Sequence, residues 1–184
     1  MAGLAASRTD SLDFAPSPSW AERLLAFVER SHLRAAAILV VLSLLCFLPG
    51  FQSLHPMDRD EPRFAQATKQ MLETGDFVDI RFQDEARYKK PIGIHWMQAG
   101  AVTLGEALGV SRARTTIALY RLPSLLGAIA GVLLTYWAAL AFVGRREAFL
   151  AASFMAASVI LMVEARLAKT DAMLFACCVA AMGA

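Results

Sequence analysis

The sequence predicts an all-α polytopic membrane protein, and three observations predict it. Hydrophobic residues make up 57% of the 184-residue chain against 18% charged, with a mean hydropathy of +0.48, more apolar than an ordinary soluble domain of this size. The apolar residues fall in continuous blocks rather than in alternation, the pattern of segments buried on all sides. Basic residues flank the blocks: Arg30 and Arg34 precede the first, and Arg145 and Arg146 separate two later ones. A net charge of +2, with no basic stripe carrying interleaved aromatics, sets nucleic acid aside as a partner.

Each segment then has its own justification. Residues 1 to about 20 lack apolar periodicity and are expected to be disordered. With a stretch at residues 20–32 they make up a cytoplasmic tail over residues 1–34. That stretch reads as an amphipathic helix on the membrane, with Trp20, Leu24, Phe27 and Val28 on one face. Residues 35–51 form the first spanning candidate, near the short end of what a bilayer needs, and Pro49-Gly50 breaks it on the far side. A periplasmic loop follows over residues 52–114. Within it Pro62 suits a first helical turn, and Phe64, Ala67, Met71 and Leu72 recur at helical spacing until Thr74-Gly75, giving a helix over 61–74. Residues 77–82 alternate as a short strand would.

A second loop helix runs over residues 92–108, opened by Pro91 and ended by Gly109. His95, Gln98 and Glu106, and the placing of Arg145-Arg146 on the side of Arg30 and Arg34, make it interfacial rather than spanning. The second span is expected over 116–143, the third over 148–163, and residues 171–184 begin a fourth. That apolar run is still unfinished at Met182-Gly183-Ala184, so the chain reads as the N-terminal portion of a larger membrane protein. Cys46, Cys177 and Cys178 lie inside apolar runs without metal-ligand spacing and read as small buried hydrophobes.

The chemistry-bearing residues collect outside the spans. Asp58, Arg59, Asp60, Glu61 and Arg63 crowd one membrane boundary, with Lys89 and Lys90 downstream and Glu164, Arg166, Lys169 and Asp171 in a turn on the same side. Asp60 reads either as a helix cap or as a carboxylate that accepts a proton from a hydroxyl. Lys89 and Lys90 read either as interfacial anchors or as cations on a phosphate, to which Arg63 adds a bidentate contact. Asp171 is either an N-cap with Thr170 or a second acid at the site. His55 and His95 have the chemistry of metal ligands, though lone histidines are more often simply hydrogen-bonded.

Taken together, Asp60-Glu61-Pro62-Arg63-Phe64-Ala65, Met71-Leu72-Glu73-Thr74-Gly75-Asp76-Phe77 and Lys89-Lys90-Pro91-Ile92-Gly93-Ile94-His95-Trp96 resemble the first outer loop of the GT-C glycosyltransferases. The nearest patterns are the aminoarabinose transferases that modify lipid A and the protein O-mannosyltransferases of family 39. The resemblance covers about residues 45–184. It implies the N-terminal part of a polytopic enzyme of the bacterial inner membrane, with about four transmembrane helices here, the N-terminus cytoplasmic and the first long loop periplasmic. Such enzymes pass a sugar from a polyprenyl phosphate to a lipid or protein acceptor. By position, Asp60 and Asp171 match the family's acids, while Arg63 and Lys90, with Lys89 beside it, match residues near the lipid phosphate. Glu61, Arg59 and His95 are secondary candidates. The family often carries an acid where this chain has Lys89. No cofactor is identified: a divalent metal is compatible with the family and required by nothing in the chain. Two other classes fit a charged membrane boundary, namely a transporter or flippase component and a non-catalytic assembly subunit. The first predicts charges near the middle of spans and internal repeats, and neither is seen here.

Overall fold

A computed structural model describes residues 17, 19–56 and 59–184. Residues 1–16, on which most of the expected disorder falls, and Asp58 of the charged cluster lie outside the described residues. Among those described, the chain is mostly helical: α1 (Trp20–Glu29), α2 (His32–Phe47), α3 (Asp60–Thr74), α4 (Gly93–Ala107), α5 (Ile117–Ala139), α6 (Arg145–Ala156), α7 (Val159–Glu164) and α8 (Asp171–Gly183). A two-stranded hairpin, β1 (Arg81–Phe82) and β2 (Glu85–Ala86), lies between α3 and α4.

Local chemistry sets the boundaries. Ser19 caps α1 in a full capping box with Glu22, and Arg30-Ser31 then separates α1 from α2. Gly50, Gly75 and Gly109 take left-handed backbone just after α2, α3 and α4, the conformation that lets a chain leave a helix cheaply. On α1, Val28 is buried while Trp20, Leu24 and Phe27 face outward, so the apolar face read from the sequence divides between the bundle and its surroundings.

Among the described residues, only α5, with 23 residues, is long and apolar enough by itself to cross a membrane; α2 and α8 are shorter apolar helices. At 1.5 Å per residue α5 reaches about 34 Å, against the roughly 30 Å of a hydrocarbon core. Of the four expected spans, the second is thus a helix that meets this length and composition by itself. The first span, expected over 35–51, begins earlier and stops at Phe47, with Leu48 as its cap. The third, expected over 148–163, is two helices rather than one. Ser158 is extended (ψ 123°), at a point where Ser158 and the β-branched Val159 and Ile160 together lower the helix propensity of the run. The strand expected over 77–82 pairs only at Arg81 and Phe82, because Asp76 accepts from the backbone N–H groups of Val78 and Asp79 and bends the chain first.

The apolar helices form one core through Leu39, Phe47, Leu125, Ala128, Val132, Phe149, Ala152 and Leu161. Helix ends pair consistently. At one end His32 Nδ1 meets the Tyr136 hydroxyl at 2.9 Å, and Arg145 donates to the Glu29 carbonyl at 2.9 Å. At the other, Arg166 donates to the carbonyls of Cys46 and Phe47, and Ser124 to that of Lys169. α2 and the α6–α7 pair therefore run one way and α5 and α8 the other. α5 lies closest to α8, at Gly127 and Gly131, a small-residue spacing that brings two backbones together. A Cβ added at Gly127 would stand 2.8 Å from the Met173 Cα and N, backbone atoms that cannot turn aside. Gly127→Leu is expected to cost about 1–3 kcal/mol or more. Gly100→Ala, in the middle of α4 where a Cβ meets nothing within 4 Å, is expected to stabilise by about 0.5–1 kcal/mol; thermal unfolding of both variants in detergent checks the contrast.

Candidate functional site

The site is built on a buried ion pair. Glu61, in the first turn of α3, and Arg121, near the start of α5, are both fully buried. The guanidinium donates to both carboxylate oxygens, Nε to Oε1 at 2.7 Å and the second nitrogen to Oε2 at 3.1 Å. Its remaining terminal nitrogen donates to the Phe51 carbonyl at 2.7 Å, and Glu61 Oε1 also accepts the Ala168 amide at 3.0 Å. One carboxylate thus ties together the loop helix, the start of α5 and the α7–α8 turn, while Arg121 satisfies a carbonyl just past the end of α2. Ions in such a place are tolerable only when every polar atom around them is used.

That anchor sets the neighbouring residue, Asp60, on the outer side of α3 with its side chain half exposed. Asp60 is not the cap of the helix. Arg59 occupies the cap position, itself exposed and without a side-chain capping bond, and Asp60 is the first helical residue, where its charge favours the positive end. Arg63, one turn on, stands 3.6 Å from Asp60 Oδ1, and Arg87 stands 4.0 Å from the same oxygen.

Arg87 arrives from the hairpin, whose position is fixed by α3. Gln70 donates to the Gln83 carbonyl at 2.9 Å and accepts the Gln83 amide at 3.0 Å, holding the turn residue in left-handed backbone (φ 58°). The Arg87 guanidinium lies over the Phe64 ring at 5.3 Å, and Phe64 also stacks on His95. Arg63, Arg87 and Lys89 line one polar pocket of about 160 Å³ with Phe82, Glu85 and Ala86.

Lys90 goes elsewhere. Its ammonium stands 3.8 Å from Asp171 Oδ1, joining the long loop to the first turn of α8. Thr170 makes no side-chain capping bond, so the expected cap of α8 is corrected to a first-turn Asp171 held by a lysine. Asp171 also lines an apolar cavity of about 310 Å³ with Glu164, Ser158, Leu161 and Phe175, at the break between α6 and α7. The structure therefore brings Asp171 to Lys90, and Asp60 to Arg63 and Lys89 by way of Arg87.

His95 is packed inside. Its Nδ1 is 2.8 Å from the Thr68 hydroxyl, which donates to Gln98 Oε1 at 2.7 Å; the assignment that satisfies both contacts puts the imidazole proton on Nδ1. Burial, with a smaller push from the Arg87 charge, brings its pKa down to about 4. His55 is exposed. Among the described residues, no group of three or more His, Cys, Asp or Glu side chains is placed to hold a metal ion.

Sequence reasoning passed over Arg121 and Arg87. The first was readable: an arginine inside an apolar helix needs a partner, and Glu61 was the acid without an assigned duty. Arg87 carries no such signal, since its role depends on a hairpin placed by Gln70. No family model matches the chain, and neither a curated protein nor a solved structure does.

Two outcomes follow. Glu61→Leu, which leaves the Arg121 charge buried, is expected to cost about 3–5 kcal/mol, and adding Arg121→Met should recover much of it; detergent unfolding of the single and double variants measures both. For His95 the folded pKa lies below the ordinary 6.5, so the unfolded chain takes up the extra proton first. Stability is then fully present above about pH 6.5 and falls as the pH drops toward 4, by up to about 3 kcal/mol. His95→Asn should flatten that part of an unfolding-versus-pH profile.

Proposed function

We propose that this chain is the N-terminal part of a polytopic membrane glycosyltransferase of the GT-C type, moving a sugar from a polyprenyl-phosphate donor to a lipid or protein acceptor. In this reading α2, α5, the broken α6–α7 pair and α8 enter the bacterial inner membrane, the N-terminus is cytoplasmic, and α3, the hairpin and α4 lie on the periplasmic face. The observation that carries it is the Lys90–Asp171 contact at 3.8 Å beside the apolar cavity of α6, α7 and α8. A donor with a greasy chain and a phosphate leaving group needs an apolar cleft with a cation at its rim, to meet the charge that grows as the sugar departs. Asp60 serves as the base for the acceptor. A metal has no assigned place in this scheme.

The transporter reading has less support. The charged residues of α2, α5 and α8, Arg34, Arg121 and Asp171, all lie in the first one or two turns of their helices rather than midway along them. Asp60→Asn, made in the complete reading frame, is expected to abolish sugar transfer in membranes supplied with polyprenyl-phosphate sugars while leaving insertion intact; normal transfer would remove Asp60 from its role. Lys90→Ala should weaken use of the donor more than use of the acceptor, so equal donor affinity in the two proteins would contradict the phosphate assignment.

A further inference from the structure

One end of the bundle, where α1 meets α2 and α6, carries a face that sugar transfer does not use. At about 100° per residue the side chains of α1 fall into separate stripes. Val28 is fully buried and Leu25 packs beside it against the core, so that stripe holds α1 on the bundle. Trp20, Leu24 and Phe27 stand at i, i+4 and i+7 and are all exposed, Trp20 at 79%. Arg23 and Arg30 run along one edge of this outer apolar stripe. Glu22 and Glu29 take the side opposite to it, where Glu22 closes the capping box with Ser19.

The neighbouring segments continue the pattern. Leu33, 81% exposed in the first turn of α2, is followed by Arg34, whose guanidinium lies over the Phe27 ring at 4.6 Å. A guanidinium stacked in this way keeps its N–H donors at the edge of its plane, clear of the ring. The turn between α5 and α6 brings exposed Phe142 and Val143 beside exposed Arg145 and Arg146. Arg145 fixes that turn to α1 through the Glu29 carbonyl at 2.9 Å and keeps further donors. Residues 19–34 and 142–147 hold five arginines and three glutamates, an excess of two positive charges. Apolar side chains and cations thus share one surface, at the level where the apolar run of α2 begins.

We propose that this corner docks on the anionic headgroups of a phospholipid bilayer, with the Trp20–Leu24–Phe27 stripe among the acyl chains and the arginines on the phosphates. It rests on the membrane placement of the bundle and not on sugar transfer. Arginines that border the apolar stripe rather than interrupt it suit a layered surface, greasy below and charged above. A headgroup with a net negative charge is favoured over a zwitterionic one, because the same arginines repel a choline.

The test uses the full chain carrying Trp96→Phe and Trp137→Phe, which leaves Trp20 as its one tryptophan, in mixed nanodiscs of phosphatidylcholine and phosphatidylglycerol. Bromine is placed on the acyl chains of one lipid or the other and quenches only a tryptophan that it reaches. At equal mole fraction phosphatidylglycerol is expected to quench Trp20 about fivefold more effectively, the ratio that roughly 1 kcal/mol for one surface arginine gives. Arg30→Gln, Arg34→Gln and Arg146→Gln together should bring the ratio close to one, as should raised salt. Lys69→Gln on α3, a loss of charge away from this corner, should leave it unchanged. The natural chain gives a second reading: in detergent, phosphatidylglycerol should raise its unfolding temperature more than phosphatidylcholine does, and the three arginine changes should cancel the difference. Quenching by neither lipid would leave the stripe to water or to another protein, and equal quenching would put it on the membrane without reading charge. Either result, or a preference that survives the loss of the three arginines in a folded protein, would overturn the proposal. No sugar transfer is measured, so the outcome is independent of the role assigned to Asp60.

Discussion

The fold depends on one buried charge pair. The Thr68 bonds to His95 and Gln98 set α3 against α4, but among the described contacts it is the Glu61–Arg121 pair that ties α3 to α5 with one directional geometry, where an apolar face alone would not. Apolar packing is non-directional, whereas a two-pronged guanidinium–carboxylate contact has one geometry. The Ala168 amide and the Phe51 carbonyl, drawn onto the same pair, extend that geometry to the α7–α8 turn and to the chain leaving α2. Asp60 directly precedes Glu61 and Asp171 lies three residues after Ala168, so the placement of both outer acids is inherited from the inner one.

The surface charges can then do different work from the buried ones. The contacts of Asp60 with Arg63 and Arg87 and of Asp171 with Lys90 lie at 3.6 to 4.0 Å, with both carboxylates about half exposed, where solvent weakens them. Such contacts are easily exchanged for a ligand. The pair below is dry, short and saturated, so it is not. Adjacent positions in the sequence, Asp60 and Glu61, thus separate into an adaptable group and a fixed one, and the separation follows from which face of the helix each occupies.

Much of this was legible beforehand. Apolar blocks gave the helices, Gly75 and Gly109 gave their ends, and the spacing of Asp60 and Arg63 gave a real contact. What escaped has physical causes. Break points such as Ser158 show only as a local dip in helix propensity, which a continuous run of apolar residues hides. Capping could not be assigned to Asp60 or Thr170 from residue type, because a favourable first-turn charge and a cap look alike in a string of letters. The division of Lys89 from Lys90 turns on adjacent side chains leaving the backbone in different directions in an irregular segment, which no periodicity encodes.

The close seat of α8 on α5 has a last consequence. With backbone against backbone at Gly127 and the Phe175 ring against Gly131, α8 has little room to slide or roll on α5. Asp171 is therefore a stationary post. Its partner Lys90 sits in the irregular segment between the hairpin and α4, so a contact between the two joins a helix seated on backbone to a stretch without helical structure.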